Sequence, residues 1–311
     1  MTTITEPNPR RWRQFTENPV TIKELRSRMR GRKAFVVLAV YLAVMSGIIA
    51  ITYLSYTASA SGRYGSDTRD AGKIVLSIVV GVETFLAMFM APSFTAGAIS
   101  GEKERQTFDL LRTTLLPARW FVTGKLLSAL SYVFLLIFAS LPLQSIAFML
   151  GGVSWVEMII SQLLIVVAAI TYALFGLLCS SLMKSTLTAS VLTFGGILFF
   201  TMGLPSLTIL GVALMSPFMY GISSSWMFEA ALSLGGILMA AVNLPATLIT
   251  SAVFLIEEGS IFYITQHSYG GGSSHSFLLP SPWIPFILIH LAASLLMYSI
   301  TVRRVRRISN K

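Results

Sequence analysis

The stretch WIPFILIHLAASLLMYSITVRRVRR, residues 283–307, decides how the chain is to be read. Residues 283–302 contain no Asp, Glu, Lys or Arg. A helix rises ~1.5 Å per residue, so about 20 apolar residues cross a hydrocarbon core of ~30 Å. Arg303, Arg304, Arg306 and Arg307 follow at once. An apolar run of spanning length that stops on a cationic cluster is a membrane crossing whose end stays in the cytoplasm.

The composition repeats that message along all 311 residues: 54% are hydrophobic and 12% are charged. A soluble domain carries about 25% charged residues, and this chain is too poor in ionic groups to cover a water-facing surface. The mean hydropathy of +0.75 excludes disorder as well. A lone cysteine, Cys179, excludes a disulfide framework or a cysteine-built zinc cluster.

The net charge of +10 takes its meaning from its location. Lys and Arg gather in residues 1–33, between Lys103 and Lys125, at Lys184, and in residues 303–311; only Arg63, Arg69 and Lys73 lie elsewhere. Each cluster flanks an apolar run, so the charge marks topology, and nucleic acid is not an expected partner. All four clusters on one side put both termini in the cytoplasm and make the number of crossings even. The first 33 residues are too long and too charged for a signal-peptide n-region, so no cleavable leader is expected.

Further spans are expected at about residues 34–57, 74–100, 126–150 and 155–183, with a fifth starting near Leu187. Pro92 and Pro142 should kink the second and third. Residues 58–73 and the Gly151-Gly152 pair read as external connections, and Lys184 marks an inner turn. The apolar residues 227–256 would strand the basic tail outside if they crossed once. They are therefore expected to form a re-entrant or external helical hairpin, broken around Asn243-Leu244-Pro245, or two short crossings. A polar, glycine-rich loop around His267 to Gly272 follows. The fold class is thus an all-α polytopic membrane protein with six transmembrane helices, or eight on the second alternative.

Two cytosolic segments have amphipathic spacing. In residues 18–29, Asn18 can cap a helix and Pro19 suits its first position. Ile22, Leu25 and Met29 then share one face, opposite Lys and Arg. In residues 100–117, Ser100 can cap, Glu102 and Glu104 suit the positive end of a helix, and Pro117 stops it. Phe108, Leu111 and Leu115 form one apolar face of a helix able to dock in a partner's groove.

Glu83 stands about a third of the way into the second span, where a carboxylate is expensive and is a functional candidate. Its readings are contact with the pathway or a dimer interface, or satisfaction by nearby hydroxyls. Glu157 and Glu229 lie near external span ends. His267 and His275 lack a third ligand, so no metal site is expected. An intramembrane hydrolase would need paired catalytic groups within the spans, where His290 is the sole histidine. A secondary transporter would call for more embedded charge than Glu83 offers.

The string Thr95-Ala96-Gly97-Ala98-Ile99-Ser100-Gly101-Glu102-Lys103-Glu104-Arg105-Gln106-Thr107-Phe108-Asp109-Leu110-Leu111, followed by Gly124-Lys125-Leu126-Leu127, closely resembles the signature of type-2 ABC exporter permeases. The opening Asn18-Pro19-Val20 with Lys23-Glu24-Leu25-Arg26 is similar to the start of such permeases. The resemblance implies three parts: a connecting segment in residues 1–33 carrying Ile22, Leu25 and Met29; a permease domain in 34–302 with a coupling helix at about 101–116; and a basic cytosolic tail in 303–311. It implies that Glu102, Glu104, Arg105, Thr107, Phe108 and Leu111 contact an ABC ATPase subunit. It also implies a second permease copy or paralogue in the plasma (inner) membrane, with no catalytic residue or cofactor in this chain and ATP bound by the partner. The alternative within the family is transmission of ATPase motion to an external partner without translocation. The residues agree that the engine is elsewhere: a P-loop needs Gly-Lys-Ser/Thr, whereas Gly72-Lys73 precedes Ile74 and Gly124-Lys125 precedes Leu126.

Overall fold

A computed structural model describes residues 32–60, 68–106, 117–219, 226–258, 260–270 and 273–309. The expected connecting segment, with Ile22, Leu25 and Met29, lies outside the described residues, as do Thr107, Phe108 and Leu111.

Among the described residues, six helical stretches are long and apolar enough to cross a membrane: Phe35–Ala58, Asp70–Ser93, Ala118–Leu150, Trp155–Leu182, Thr186–Met215 and Trp283–Arg307. The helices that build them are α1 (Arg32–Ala60), α2 (Thr68–Ser93), the short α3 (Ser100–Glu104), α4 (Ala118–Ala139), α5 (Leu141–Leu150), α6 (Trp155–Leu182), α7 (Thr186–Leu198), α8 (Leu204–Met219), α9 (Trp226–Ala240), α10 (Leu244–Glu258) and α11 (Trp283–Ser309). The protein is an all-α polytopic membrane protein in architecture, with one small addition.

That addition is a β-hairpin, β1 (Tyr263–Gly270) and β2 (Ser273–Pro280), where the composition suggested a loop. The two strands pair antiparallel, Tyr263 opposite Pro280 and Gly270 opposite Ser273. Thr265, Tyr263, Phe277 and Ile264 are residue types that suit a pleated surface, and the glycine-rich connection permits the reversal. The Trp283 indole donates to Ile261 O at 2.8 Å and so ties the hairpin's root to the start of α11.

Two prolines shape the spans. Pro142 cannot donate to the residue four before it, and the third crossing divides at Ser140 into α4 and α5. Pro205 leaves the carbonyl of Thr201 without its helical donor, and the chain widens there into a π-turn, Phe199–Gly203. Asn243 fills the gap: its side-chain amide donates to Thr201 O. Its carbonyl oxygen accepts from Ala246 N at 3.1 Å, capping α10. One asparagine thus breaks residues 226–258 into the expected hairpin and pins that hairpin to the fifth span. Each arm has 15 residues, about 22 Å of helix against a ~30 Å core, too short for an upright crossing.

α6 is the axis of the bundle. One side packs Leu164, Ala168 and Tyr172 against Leu244 and Phe286; another packs Ile165, Ala169 and Ala173 against Ala87, Ala91 and Leu130. Close approach is built from glycine. A Cβ on Gly176 of α6 would lie 2.3 Å from Thr95 Oγ1 and 3.3 Å from Ala96 N. At the other end, Gly151 takes φ 90°, and its carbonyl sits where a Cβ on Gly72 would be, 2.0 Å away. The outer faces of α1 and α8 expose Val36, Val40, Ile51, Leu207, Ile209 and Leu214, as surfaces bathed in hydrocarbon do.

Candidate functional site

The residues that follow the second span form a clasp at the basic end of the bundle. α2 ends at Ser93, the chain turns through residues 94–99, and α3 begins at Ser100. Ser100 does not act as the expected cap. The N–H groups of Ile99 and Ser100 both donate to Ser180 Oγ, each at 2.9 Å. One hydroxyl near the end of α6 thereby serves two donors that α3 leaves free.

The next three residues each grip a different element. The Glu102 carboxylate meets Lys125 Nζ at 2.7 Å, joining α3 to the beginning of α4. Lys125 is buried, and its ammonium lies 5.1 Å from the centre of the Phe121 ring. The Lys103 ammonium donates to Ser181 O at 2.6 Å and Met183 O at 3.1 Å, the free carbonyls at the end of α6. A cation there meets the negative end of the helix. Burial, and then the Arg304 cation nearby, hold the Lys103 amine below the usual lysine range. Glu104 works on the opposite pole. Its carboxylate accepts from Thr186 N at 3.0 Å and Thr186 Oγ1 at 2.9 Å, at the positive end of α7. These two hydrogen bonds hold the Glu104 carboxyl below the usual carboxylate range.

Lys103 and Glu104 thus take the two ends of the turn that links the fourth and fifth spans. The sequence had assigned the glutamates to the dipole of their own helix; the structure gives Glu104 to another. Of the rod expected over 101–116, residues 107–116 lie outside the described residues, and α3 is its described part. It ends at Glu104, and Gln106 takes φ 56°, in the left-handed region, a conformation costing a non-glycine residue roughly 1 kcal/mol. Arg105 is exposed at that point. Val305 of α11 joins Ile99, Phe121, Val122 and Leu177 in the apolar cluster beneath the clasp.

Glu83 lies elsewhere, wholly buried in α2. Its Oε1 accepts from the Ser140 hydroxyl and from Gln144 Nε2 at 2.8 Å. The same Gln144 amide group donates to Gln162 Oε1 of α6 at 2.8 Å. The proline break that divides α4 from α5 is what brings Ser140 and Gln144 to the carboxylate. Glu83 is therefore enclosed by α2, α5 and α6 of its own chain. Its Oε2 has no hydrogen-bond partner among the described residues. No expectation had joined Glu83 to Gln144 or Gln162; two glutamines in apolar spans are the signal that pointed there.

The remaining candidates are dispersed. Glu157 closes a capping box with Ser154 at the start of α6. His275 stacks on Trp226 with ring centres 5.1 Å apart. His290 stacks on Phe286 at 3.8 Å, its Nδ1 3.0 Å from the Phe286 carbonyl. Cys179 is buried. Among the described residues no group of three or more His, Cys, Asp or Glu gathers as metal ligands.

Six apolar helices and a polar clasp at one end, among the described residues, define a polytopic membrane protein. Residues 19–254 match the family described as ABC-2 family transporter protein, and the chain belongs to that family. A comparison with curated proteins finds no match. The matched range contains both halves of the motif on which the resemblance rested, and the fold gives them a physical link: Glu102 and Lys125 form one ion pair.

Proposed function

We propose that this protein is the membrane subunit of an ABC exporter of the plasma (inner) membrane, driven by a separate ATPase subunit that binds the ATP. Two copies, or one copy and a paralogue, form the translocation unit, and both termini face the cytoplasm. The observation that supports this most is the clasp. A docking element attached only by flexible chain would absorb a partner's motion. Here the segment at Ser100–Arg105 is bonded to the starts of α4 and α7 and the end of α6, so a push on it reaches three crossings at once. Glu102 and Glu104 hold the segment in place, and the exposed Arg105 faces the ATPase together with Thr107, Phe108 and Leu111. Ile22, Leu25 and Met29 supply an apolar face suited to the membrane surface.

The test uses the full chain in its native membrane. Affinity purification is expected to bring down an ATPase, and the Arg105→Ala variant is expected to insert normally while recovering much less of it. Undiminished ATPase recovery from that variant would defeat the docking assignment. Arg105→Cys, in a Cys179→Ala background, is expected to react with an impermeant maleimide only after the cells are opened. Reaction in intact cells would reverse the topology.

A further inference from the structure

Away from the clasp, the middle of α2, the beginning of α6 and the hairpin helix α10 line an open cavity of about 450 Å³. Its volume lies within the range of small-molecule sites. Leu76, Val80, Ile160, Leu164, Leu248 and Leu255 make most of the wall. Four hydroxyls also line it: Ser77, Thr84, Ser161 and Ser251.

These hydroxyls divide into two kinds. Ser77 donates to Lys73 O at 2.8 Å and Ser161 to Met158 O at 3.0 Å, the usual way a helix satisfies such a group. Thr84 and Ser251 are 6% and 3% exposed, and neither hydroxyl has a partner among the described residues. Elsewhere in the bundle Thr171, Thr193, Thr247 and Thr301 all return their hydroxyls to a carbonyl of their own helix. Two unpaired hydroxyls, one on α2 and one on α10, therefore remain available to whatever fills the cavity. The lining has one ionisable side chain, Glu157, and no cation. The capping N–H of Ser154 donates to Glu157 Oε2 at 2.8 Å, so the carboxylate that lines the cavity is held at the start of α6. An anionic head finds no counter-charge here, whereas a cationic one does.

We propose that this cavity binds a cationic amphiphile, with its apolar body among the leucines, a hydrogen-bonding group on Thr84 and Ser251, and its cation on Glu157. The cavity carries this assignment whether or not the chain works with an ATPase, so the two readings fail separately.

The experiment uses the full chain in nanodiscs of uncharged phospholipid and three photoactivatable dodecyl probes, with a trimethylammonium, a hydroxyl or a sulfate head. The ammonium probe is expected to label peptides containing residues 76–84 and 245–255, about tenfold more than the sulfate probe, the ratio 1.4 kcal/mol of charge discrimination gives. Glu157→Gln keeps the capping box and is expected to lower ammonium labelling to the level of the hydroxyl probe. Leu164→Trp fills the cavity and is expected to abolish labelling by all three; circular dichroism and gel filtration of that variant establish that it has folded. Equal labelling by ammonium and sulfate probes overturns the proposal, and so does unchanged ammonium labelling in Glu157→Gln. If Leu164→Trp does not fold, Thr84→Val with Ser251→Ala takes its place, and undiminished labelling there has the same consequence.

Discussion

Glu83 and Glu104 are satisfied by opposite strategies. Glu104 uses the end of a helix: the backbone N–H and hydroxyl of Thr186, at the start of α7, bind its carboxylate in an exposed setting. Glu83 lies within the apolar bundle and draws on the side chains of Ser140 and Gln144, which a proline break in the third crossing brings to it. The first arrangement joins two elements and tolerates water. The second removes a carboxylate from water altogether, and keeps one oxygen without a partner. The comparison separates a polar cluster suited to carrying force between helices from one that shapes the inside of a single protomer.

Four measurements sharpen or break that contrast. The largest effect is expected at the ion pair of the clasp. Glu102→Lys sets a second cation against the buried Lys125, and breaking such a pair costs about 3–5 kcal/mol. Unfolding in detergent should show that loss. Adding Lys125→Glu should restore most of it, and failure of the swap to rescue would mean that the pair is incidental.

Next comes the buried carboxylate. Glu83→Ala leaves a void and strands the Ser140 hydroxyl and the Gln144 amide, at about 2–4 kcal/mol. Glu83→Gln keeps an acceptor for both and should stay within about 1 kcal/mol of the native protein by the same unfolding measurement. Equal losses in the two variants would show that the charge, and not the hydrogen bonding, matters at this position.

Gly176→Ala is third. The added methyl meets Thr95 Oγ1 and the backbone of Ala96, and overpacking of this kind costs about 1–3 kcal/mol. It tests whether α6 and the turn below α2 must touch for the clasp to form. Weaker ATPase recovery alongside reduced thermal stability is the expected pair of outcomes.

The smallest effect is a pH dependence. Glu104 has a folded-state pKa lowered by the two Thr186 hydrogen bonds. A lowered carboxyl contributes stability that is present above its unfolded value, about 4.3, and is lost as pH falls through the folded one. The stability difference between the native protein and Glu104→Gln should therefore be constant at neutral pH and shrink below about pH 4. A difference that persists in acid would assign the contact to shape and not to charge.

Much of the crossing pattern was legible because the signal is local. A run of apolar residues long enough for the bilayer declares itself without knowledge of its neighbours, as residues 283–302 do. Asn243-Leu244-Pro245 likewise announced the break between α9 and α10. The β-hairpin at Tyr263–Pro280 was less legible, because a short polar segment rich in Gly and Ser fits a loop equally well until its two halves are paired. The partners of the motif were hidden for a related reason. Ser180, Ser181, Met183 and Thr186 lie about 80 positions from α3, and nothing in their own spacing marks them as its receivers.

The amino-acid sequence by itself determined that this chain lives in a bilayer, where its long apolar runs lie and which of their ends carry the charge, since each follows from the length and composition of one segment. Tertiary structure alone decided which charge meets which helix end, that the two halves of the motif form a single ion pair, and that the hydroxyls of Thr84 and Ser251 line one cavity between α2 and α10. Hydrogen bonds and ion pairs act over a few ångströms between residues that chain order keeps apart, so their partners exist only once the helices have packed.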